Sequence, residues 1–190
     1  MKRVEIIYGG ASNEKEISYL TAKSIYEHID TDLYNPGLTD LSKFDPDNFD
    51  NETIFFIAVH GEGGEDGKIQ TQLENKKRKF TGSSSESCIL TWDKVATKRA
   101  LIANDILTPQ FKSIKNNEHF DFNDSFFSEN EHYFVKPNFN GSSYGISKVS
   151  DKKFNDALNE AKNYSTEVII EKSFNGPEYT VALLKGKPLM

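Results

Sequence analysis

Twice in the first part of the chain an apolar run stops at glycine, and no other feature constrains the fold as strongly. Val4-Glu5-Ile6-Ile7-Tyr8 ends at Gly9-Gly10, and Thr53 to Val59 ends at His60 and the loop Gly61-Glu62-Gly63-Gly64-Glu65-Asp66-Gly67. Short apolar runs bounded by turn residues read as strands covered on both faces, the kind a parallel sheet is made of. A helical pattern follows each. Behind the first, Asn13 and Glu16 stand at capping-box spacing, and Ile17, Leu20 and Ile25 offer an apolar face. Behind the second, Lys68 to Asn75 turns Ile69, Leu73 and Gln72 inward. Strand, glycine turn and helix in that order predict an α/β fold whose first module, residues 1–92, is a Rossmann-like, largely parallel sheet. Asp40 to Glu52 is polar, is broken by Pro46, and reads as a surface connection.

The second half has a different rhythm. Trp92 to Asp105 is helical, with Val95, Ala96 and Ile102 on one face, and Thr108-Pro109 ends it. Lys115 to Asn130 reads as a polar surface excursion. A strand Tyr133 to Lys136, a loop Pro137 to Gly145 and a strand Ile146 to Val149 come next. A helix capped by Ser150 or Asp151 then repeats Phe154, Ala157, Leu158 and Ala161 at i, i+3, i+4, i+7. Thr166 to Ile170 and Tyr179 to Leu184 read as strands, and Lys185-Gly186-Lys187-Pro188 as a turn that opens a return strand. Residues 93–190 are therefore predicted to form a small α+β module, an antiparallel sheet backed by helices.

Composition narrows the function classes. The 190 residues carry a net charge of −6, which argues against a general nucleic-acid or polybasic membrane binder. The short basic run Lys76-Lys77-Arg78-Lys79 reads as a solvated helix end. Cys88 is the single cysteine, so an intrachain disulfide framework and a Cys-rich zinc site are excluded, and no basic neighbour suggests an activated thiolate. With no apolar run near the roughly 20 residues of a membrane span, and no secretory leader in Met1 to Tyr8, the expectation is a cytoplasmic protein. Lysine outnumbers arginine 20 to 3, so phosphate chemistry here has to rest on lysine point charges and backbone amides.

Three segments carry candidate chemistry. In Asn138-Phe139-Asn140-Gly141-Ser142-Ser143-Tyr144-Gly145, glycines allow close backbone approach while hydroxyls and amides offer donors for phosphate oxygens; Lys136 stands just before it. The same segment also reads as an ordinary hairpin connection. It lacks the Walker spacing, and Gly9-Gly10 lacks the third glycine of a dinucleotide fingerprint. His60 follows a buried strand, where ligands of open α/β sheets bind, although a structural histidine fits as well. No second histidine lies at metal-ligand spacing, and no metal-ligand set is assigned in the chain. Glu171 and Glu178 flank a bend at Gly176-Pro177 that reads locally as a solvated turn.

Taken in order, these motifs resemble one family. Gly9-Gly10-Ala11-Ser12-Asn13-Glu14-Lys15-Glu16-Ile17-Ser18 resembles the opening signature of D-alanine–D-alanine ligases, and His60 to Gly67 with Gln70 and Leu73 resembles their second. Thr81-Gly82-Ser83, Asp93-Lys94 and Thr97-Lys98 continue the match. Val135-Lys136-Pro137, Gly141-Ser142-Ser143, Gly145 and Ser147-Lys148-Val149 are similar to the glycine loop of the ATP-grasp fold, and Glu171-Lys172 with Gly176-Pro177-Glu178 completes the set.

The resemblance implies an ATP-dependent ligase of peptidoglycan precursor synthesis, serving cell wall and cell shape. ATP phosphorylates the carboxylate of one D-alanine, and the amine of a second attacks the acyl phosphate. By motif, Glu14 would hold the first D-alanine's ammonium, His60 would lie beside the reacting carboxyl, and Ser142 would join a network reaching back to Glu14. Glu14 and Ser142 are thus the catalytic candidates. Lys94 and Lys136 would contact phosphates, the amides of Gly141, Ser142 and Ser143 would close over them, Glu171, Lys172 and Phe174 would read adenine, and Glu178 the ribose. Asn140 stands where some members carry an acidic or bulky residue. Family members continue for a further domain-sized stretch that supplies the Mg2+ ligands, so the expectation is a front portion without ligase activity of its own, dimeric in its full-length form. The alternatives are a non-catalytic nucleotide-binding relative and a D-alanine–D-lactate type ligase.

Overall fold

Ser18, with no exposed surface, explains how the first unit closes: its hydroxyl accepts from the Gly9 amide at 2.8 Å and donates to the Ala58 carbonyl at 2.8 Å. It thereby ties together the ends of two neighbouring strands. The computed structural model describes residues 1–118, 125–128, 131–150, 153–184 and 186–189. In chain order the first module contains β1 (Lys2–Tyr8), α1 (Lys15–His28), β2 (Tyr34–Asp40), β3 (Ile54–Ile57), α2 (Lys68–Asn75), β4 (Lys79–Phe80) and α3 (Ser85–Trp92). Its four strands are parallel throughout and run in the order β2-β1-β3-β4. Ile7, Phe55, Val59, Ile69 and Leu73 fill the core on one side of the sheet, and Val4, Ile6, Ala22 and Ala58 on the other.

Several local expectations are corrected. β2 lies inside a stretch without a strand signal, because Pro36 and Gly37 disguise it; an edge strand tolerates proline where a central one does not. Ile17 and Leu20 are each 53% exposed, and α1 packs instead through the small residues Ser18 and Ala22, with Ile25 beside them. The Asn13–Glu16 capping box does not form: Glu14 is the N-cap residue and makes no side-chain cap bond. On α2 the inward glutamine is Gln70, whose Nε2 donates to the Gly64 carbonyl at 2.6 Å, and Gln72 is exposed. The Asp40 to Glu52 connection contains two short 3-10 turns, each opened by an aspartate that accepts a backbone amide two residues on.

The helix expected over Trp92 to Asp105 is the end of one helix and the whole of another. α3 ends at Trp92, and α4 (Lys94–Ala103) begins two residues later, with Asp93 between them capping both and accepting from the Ala96 amide at 2.8 Å. On α4 the buried residues are Val95 and Lys98, whereas Ile102 is exposed. Ser84 caps α3 through a 3.3 Å bond from the Ser87 amide. Ser84→Ala is expected to cost about 1 kcal/mol, a fall of roughly 2–4 °C in Tm by calorimetry, with the far-UV spectrum unchanged.

The second module adds β5 (Phe111–Lys115), β6 (Tyr133–Pro137), β7 (Ser147–Val149), α5 (Phe154–Lys162), β8 (Glu167–Lys172), β9 (Leu183–Leu184) and β10 (Lys187–Pro188). β5, β8, β6 and β7 form, in that order, an antiparallel sheet. One face takes Ile114, Tyr133, Val135, Val149, Val168 and Ile170 against Phe154, Ala157, Leu158 and Ala161 of α5, as the helical repeat predicts. The cap does not follow: Lys153 is the N-cap residue, Ser150 is not, and Asp151 lies outside the described residues. The polar excursion after Lys115 also returns two aromatics, Phe126 and Phe127, to this core. The strand expected over Tyr179 to Leu184 shrinks to β9, paired with β10, and Tyr179, Val181 and Leu184 are largely exposed. Among the described residues no helix is long and apolar enough to cross a membrane.

Candidate active site

In the order β2-β1-β3-β4 the chain leaves β1 in one direction for β2 and returns on its other side for β3. The carboxyl ends of β1 and β3 therefore flank a topological switch point, the place where open α/β sheets bind ligands. Two glycine loops leave from there. Gly9 and Gly10 adopt φ of 97° and 98°, which turns the chain sharply into the Ser12–Glu14 segment ahead of α1. Ser12 fastens this segment to the second loop, its hydroxyl donating to the His60 carbonyl at 2.8 Å and accepting from the Glu14 amide at 3.2 Å.

The loop after β6 meets both. A Cβ built on Gly141 would lie 3.1 Å from Glu14 Oε2, 3.4 Å from Glu65 Oε2 and 3.7 Å from the Gly61 Cα. A side chain at position 141 would thus press on the two carboxylates, and glycine lets the loop settle on them. The His60 ring is held from two sides, with Nε2 3.0 Å from Thr21 Oγ1 and Nδ1 3.8 Å from Glu65 Oε1. Beside this junction lies a cavity of about 180 Å³ lined by Ser12, Asn13, Glu14, Glu62, Asn140 and Tyr144, among others.

The start of the loop is pinned by Asn138, which is fully buried. Its Oδ1 accepts from the Val95 amide at 2.9 Å, and its Nδ2 donates to Asp93 Oδ1 at 3.0 Å and Glu167 Oε2 at 3.1 Å. The Asn138 side chain is therefore spent on holding the loop to α4. Lys94, at the first position of α4, donates to the Asn138 carbonyl at 3.2 Å and to the Asn140 carbonyl at 2.7 Å. Burial pulls its ammonium below the ordinary lysine range, and the nearby Lys136 adds to the fall, against opposing pulls from Glu171, Asp93 and Glu65.

Strand alternation places the remaining charges. On β6 and β8 the residues Val135, Val168 and Ile170 face α5, so Lys136 and Glu171 point to the opposite face. There Lys136 Nζ lies 2.5 Å from Glu171 Oε2, and Lys98 Nζ lies 3.0 Å from Glu171 Oε1. The glutamate expected at the adenine edge thus has an ammonium on each carboxylate oxygen. Lys172 pairs with Glu131 at 3.1 Å and, with Ser173, Phe174 and Asn175, lines a separate cavity of about 310 Å³. Phe174 is largely exposed, and so is Glu178.

Glu14, His60, Gly141 and Lys94 are accordingly brought together, with Lys136 beside Lys94. Ser142 is in the same loop at φ 57°, exposed, and its hydroxyl has no hydrogen bond among the described residues; Gly141, not that hydroxyl, meets Glu14. Ser143 is exposed as well. Asn138, Lys98 and Glu65 lie in the quoted motifs, but the sequence assigned none of them a role of its own. For Lys98 a signal existed, since it lies four residues after Lys94 on one helix and shares its face. Among the described residues no group of three or more His, Cys, Asp or Glu is placed to hold a metal ion.

Known proteins are similar to this chain in sequence and fold. The chain is 35% identical over 194 residues to a D-alanine–D-alanine ligase of Marinomonas sp., covering 95% of this chain and 59% of that protein. It is 38% identical to the corresponding ligase of Vesicomyosocius okutanii over 193 residues, covering 98% and 63%. Along nearly its whole length this chain is similar to D-alanine–D-alanine ligases. The family model described as the D-ala D-ala ligase C-terminus matches residues 102–189. The D-alanine–D-alanine ligase of Bacillus anthracis complexed with ATP superposes with a TM-score of 0.81 at 28% identity, covering 93% of this chain and 60% of that one. D-alanyl-alanine synthetase A of Vibrio cholerae, at 23% identity, shares the fold with a TM-score of 0.85. The chain spans about 60% of the length of the curated relatives it matches.

Proposed function

We propose that this chain supplies the substrate-binding and nucleotide-binding parts of an ATP-dependent D-alanine–D-alanine ligase. One observation carries the reading: the glycine loop held by Lys94, with Lys136 nearby, lies directly on Glu14 at the switch point of the first sheet. A phosphate-binding loop and an amino-acid-binding carboxylate then share one site, as phosphorylation of an amino acid requires. Residues 1–92 are the substrate module in this reading and residues 93–190 the nucleotide module.

Glu14 faces the α-ammonium of the first D-alanine, and the cavity beside it, about 180 Å³, is of amino-acid rather than nucleotide size. His60, its ring fixed by Thr21 and Glu65, adjoins the carboxylate that becomes phosphorylated. Lys94 and Lys136 offset phosphate charge as it shifts during transfer, and the amides of Gly141, Ser142 and Ser143 close over the same oxygens. Lys172 and Phe174 border the adenine in this reading, and Glu178 the ribose. Phosphorylation converts a poor acylating agent into one that the second D-alanine's amine can attack, with phosphate leaving. Magnesium, when bound, would supply positive charge against the nucleotide phosphates; among the described residues no group of three or more His, Cys, Asp or Glu is placed to hold it. The reading extends to a cytoplasmic enzyme of peptidoglycan synthesis, homodimeric in its full-length form, with ATP and D-alanine as its ligands.

Calorimetric titration tests this. The chain is expected to bind ADP, and to bind D-alanine in preference to L-alanine; no ADP binding, or equal response to the two enantiomers, overturns the reading. The lowered Lys94 pKa adds a pH dependence. A bound phosphate favours the ammonium, so binding takes up protons at alkaline pH between the lowered value and the ordinary 10.5. ADP affinity is therefore expected to fall as pH rises through that window, with a proton uptake visible when buffers of different ionisation enthalpy are compared.

A further inference from the structure

Lys98 has no task in the site as described, yet it is more deeply buried than either phosphate-facing lysine. Its side chain is 7% exposed, against 21% for Lys136. Beyond Glu171, its ammonium donates to Thr108 Oγ1 at 2.7 Å and to the Pro109 carbonyl at 2.9 Å, and stands 5.2 Å from the centroid of the Phe111 ring. Three acceptors surround an ammonium with three donors, so Lys98 is fixed in place. Lys136 has a different situation. It contacts the other oxygen of the same carboxylate, on the sheet face away from α5, and it is one of the two lysines expected to reach a phosphate.

A buried carboxylate that loses its counter-ion is strongly destabilised. Were Glu171 paired with Lys136 alone, any movement of Lys136 to a nucleotide would leave that carboxylate bare. Lys98 removes this obstacle. With it, Lys98, Lys136 and Glu171 together carry one net positive charge; without it, they carry none, and the carboxylate claims Lys136 outright. We propose that Lys98 is a positioning residue: it keeps Glu171 neutralised, which frees Lys136 to exchange from that carboxylate to a nucleotide phosphate. This rests on the nucleotide reading above and deepens it by assigning the exchange.

The test compares ADP with adenosine, which lacks the phosphates, on the native chain and on Lys98→Gln and Lys98→Arg, with thermal melting to confirm folding. Lys98→Gln is expected to weaken ADP binding about tenfold, the scale of one charge-assisted contact, while adenosine binding changes less than about twofold. Lys98→Arg, which keeps the charge, is expected to stay within about threefold of native for ADP. Equal losses for ADP and adenosine, or unchanged ADP affinity in Lys98→Gln, overturn the proposal. A structure of the native chain with ADP decides the matter without any variant: Lys136 on phosphate and Lys98 still on Glu171 supports it, and Lys136 still on Glu171, or Lys98 displaced, refutes it. Failure of the native chain to bind ADP at all overturns the nucleotide reading itself, and this assignment with it.

Discussion

Lys136→Met is expected to weaken ADP binding by about 10- to 150-fold, the equivalent of the roughly 1.5–3 kcal/mol carried by a hydrogen bond to a charged group. Methionine keeps most of the aliphatic stem, so the packing under the sheet face changes little. Folding stability should change only modestly as well, because Glu171 retains Lys98 at 3.0 Å after Lys136 is removed. D-alanine binding at Glu14 should be unaffected, since no contact joins Lys136 to that carboxylate. Calorimetric titration with both ligands checks this directly. A variant that binds ADP like the native chain would show that Lys136 serves only Glu171.

Gly64→Ala is the second large effect, and it acts on stability. A Cβ at position 64 would lie 2.6 Å from the Val59 Cβ and closer still to the Val59 carbonyl oxygen. Both belong to the stretch that leads out of β3, so relief requires the backbone to move rather than a side-chain tip. The expected cost is about 3 kcal/mol, at the upper end of overpacking penalties, or a fall of roughly 6–12 °C in Tm for a chain of this length. The same shift would displace His60 and Glu65, so D-alanine binding should weaken along with stability. Gly176→Ala is the control. Nothing lies within 4 Å of its Cβ position, and its melting temperature should match the native one. An undisturbed Gly64→Ala chain would mean that the loop after His60 is less tightly seated than described.

The burial of Gly64 also shows how far local patterns reach. The apolar runs ending at Gly9 and His60 announced two parallel strands with ligand-binding ends, and both stand side by side in the sheet. The four apolar residues of α5 are buried as their spacing predicts. Both signals are local: a run or a period can be read within a few residues. β2 escaped because its pairing with β1 overrides a composition poor for strands. α1 misled for the opposite reason. Its largest apolar residues face outward, and the sheet accepts the small Ser18 and Ala22 because close approach of helix to strand leaves no room for more.

The candidate site divides in the same way. Which residue types could handle phosphate and an amino acid was legible in the lysine-rich composition and in the glycine loops with their flanking acids. The meeting of Gly141 with Glu14 and Glu65, the commitment of Asn138 to α4, and the sharing of Glu171 between Lys98 and Lys136 were not. Each joins segments far apart in the chain, and no periodicity encodes such a distance. Sequence alone determined the local elements with a strong run or period, β1, β3 and α5 among them, because dihedral preference and apolar spacing act between near neighbours. Only the tertiary structure decided which charges neutralise one another, because Coulomb attraction and desolvation depend on separations in space that close packing alone sets.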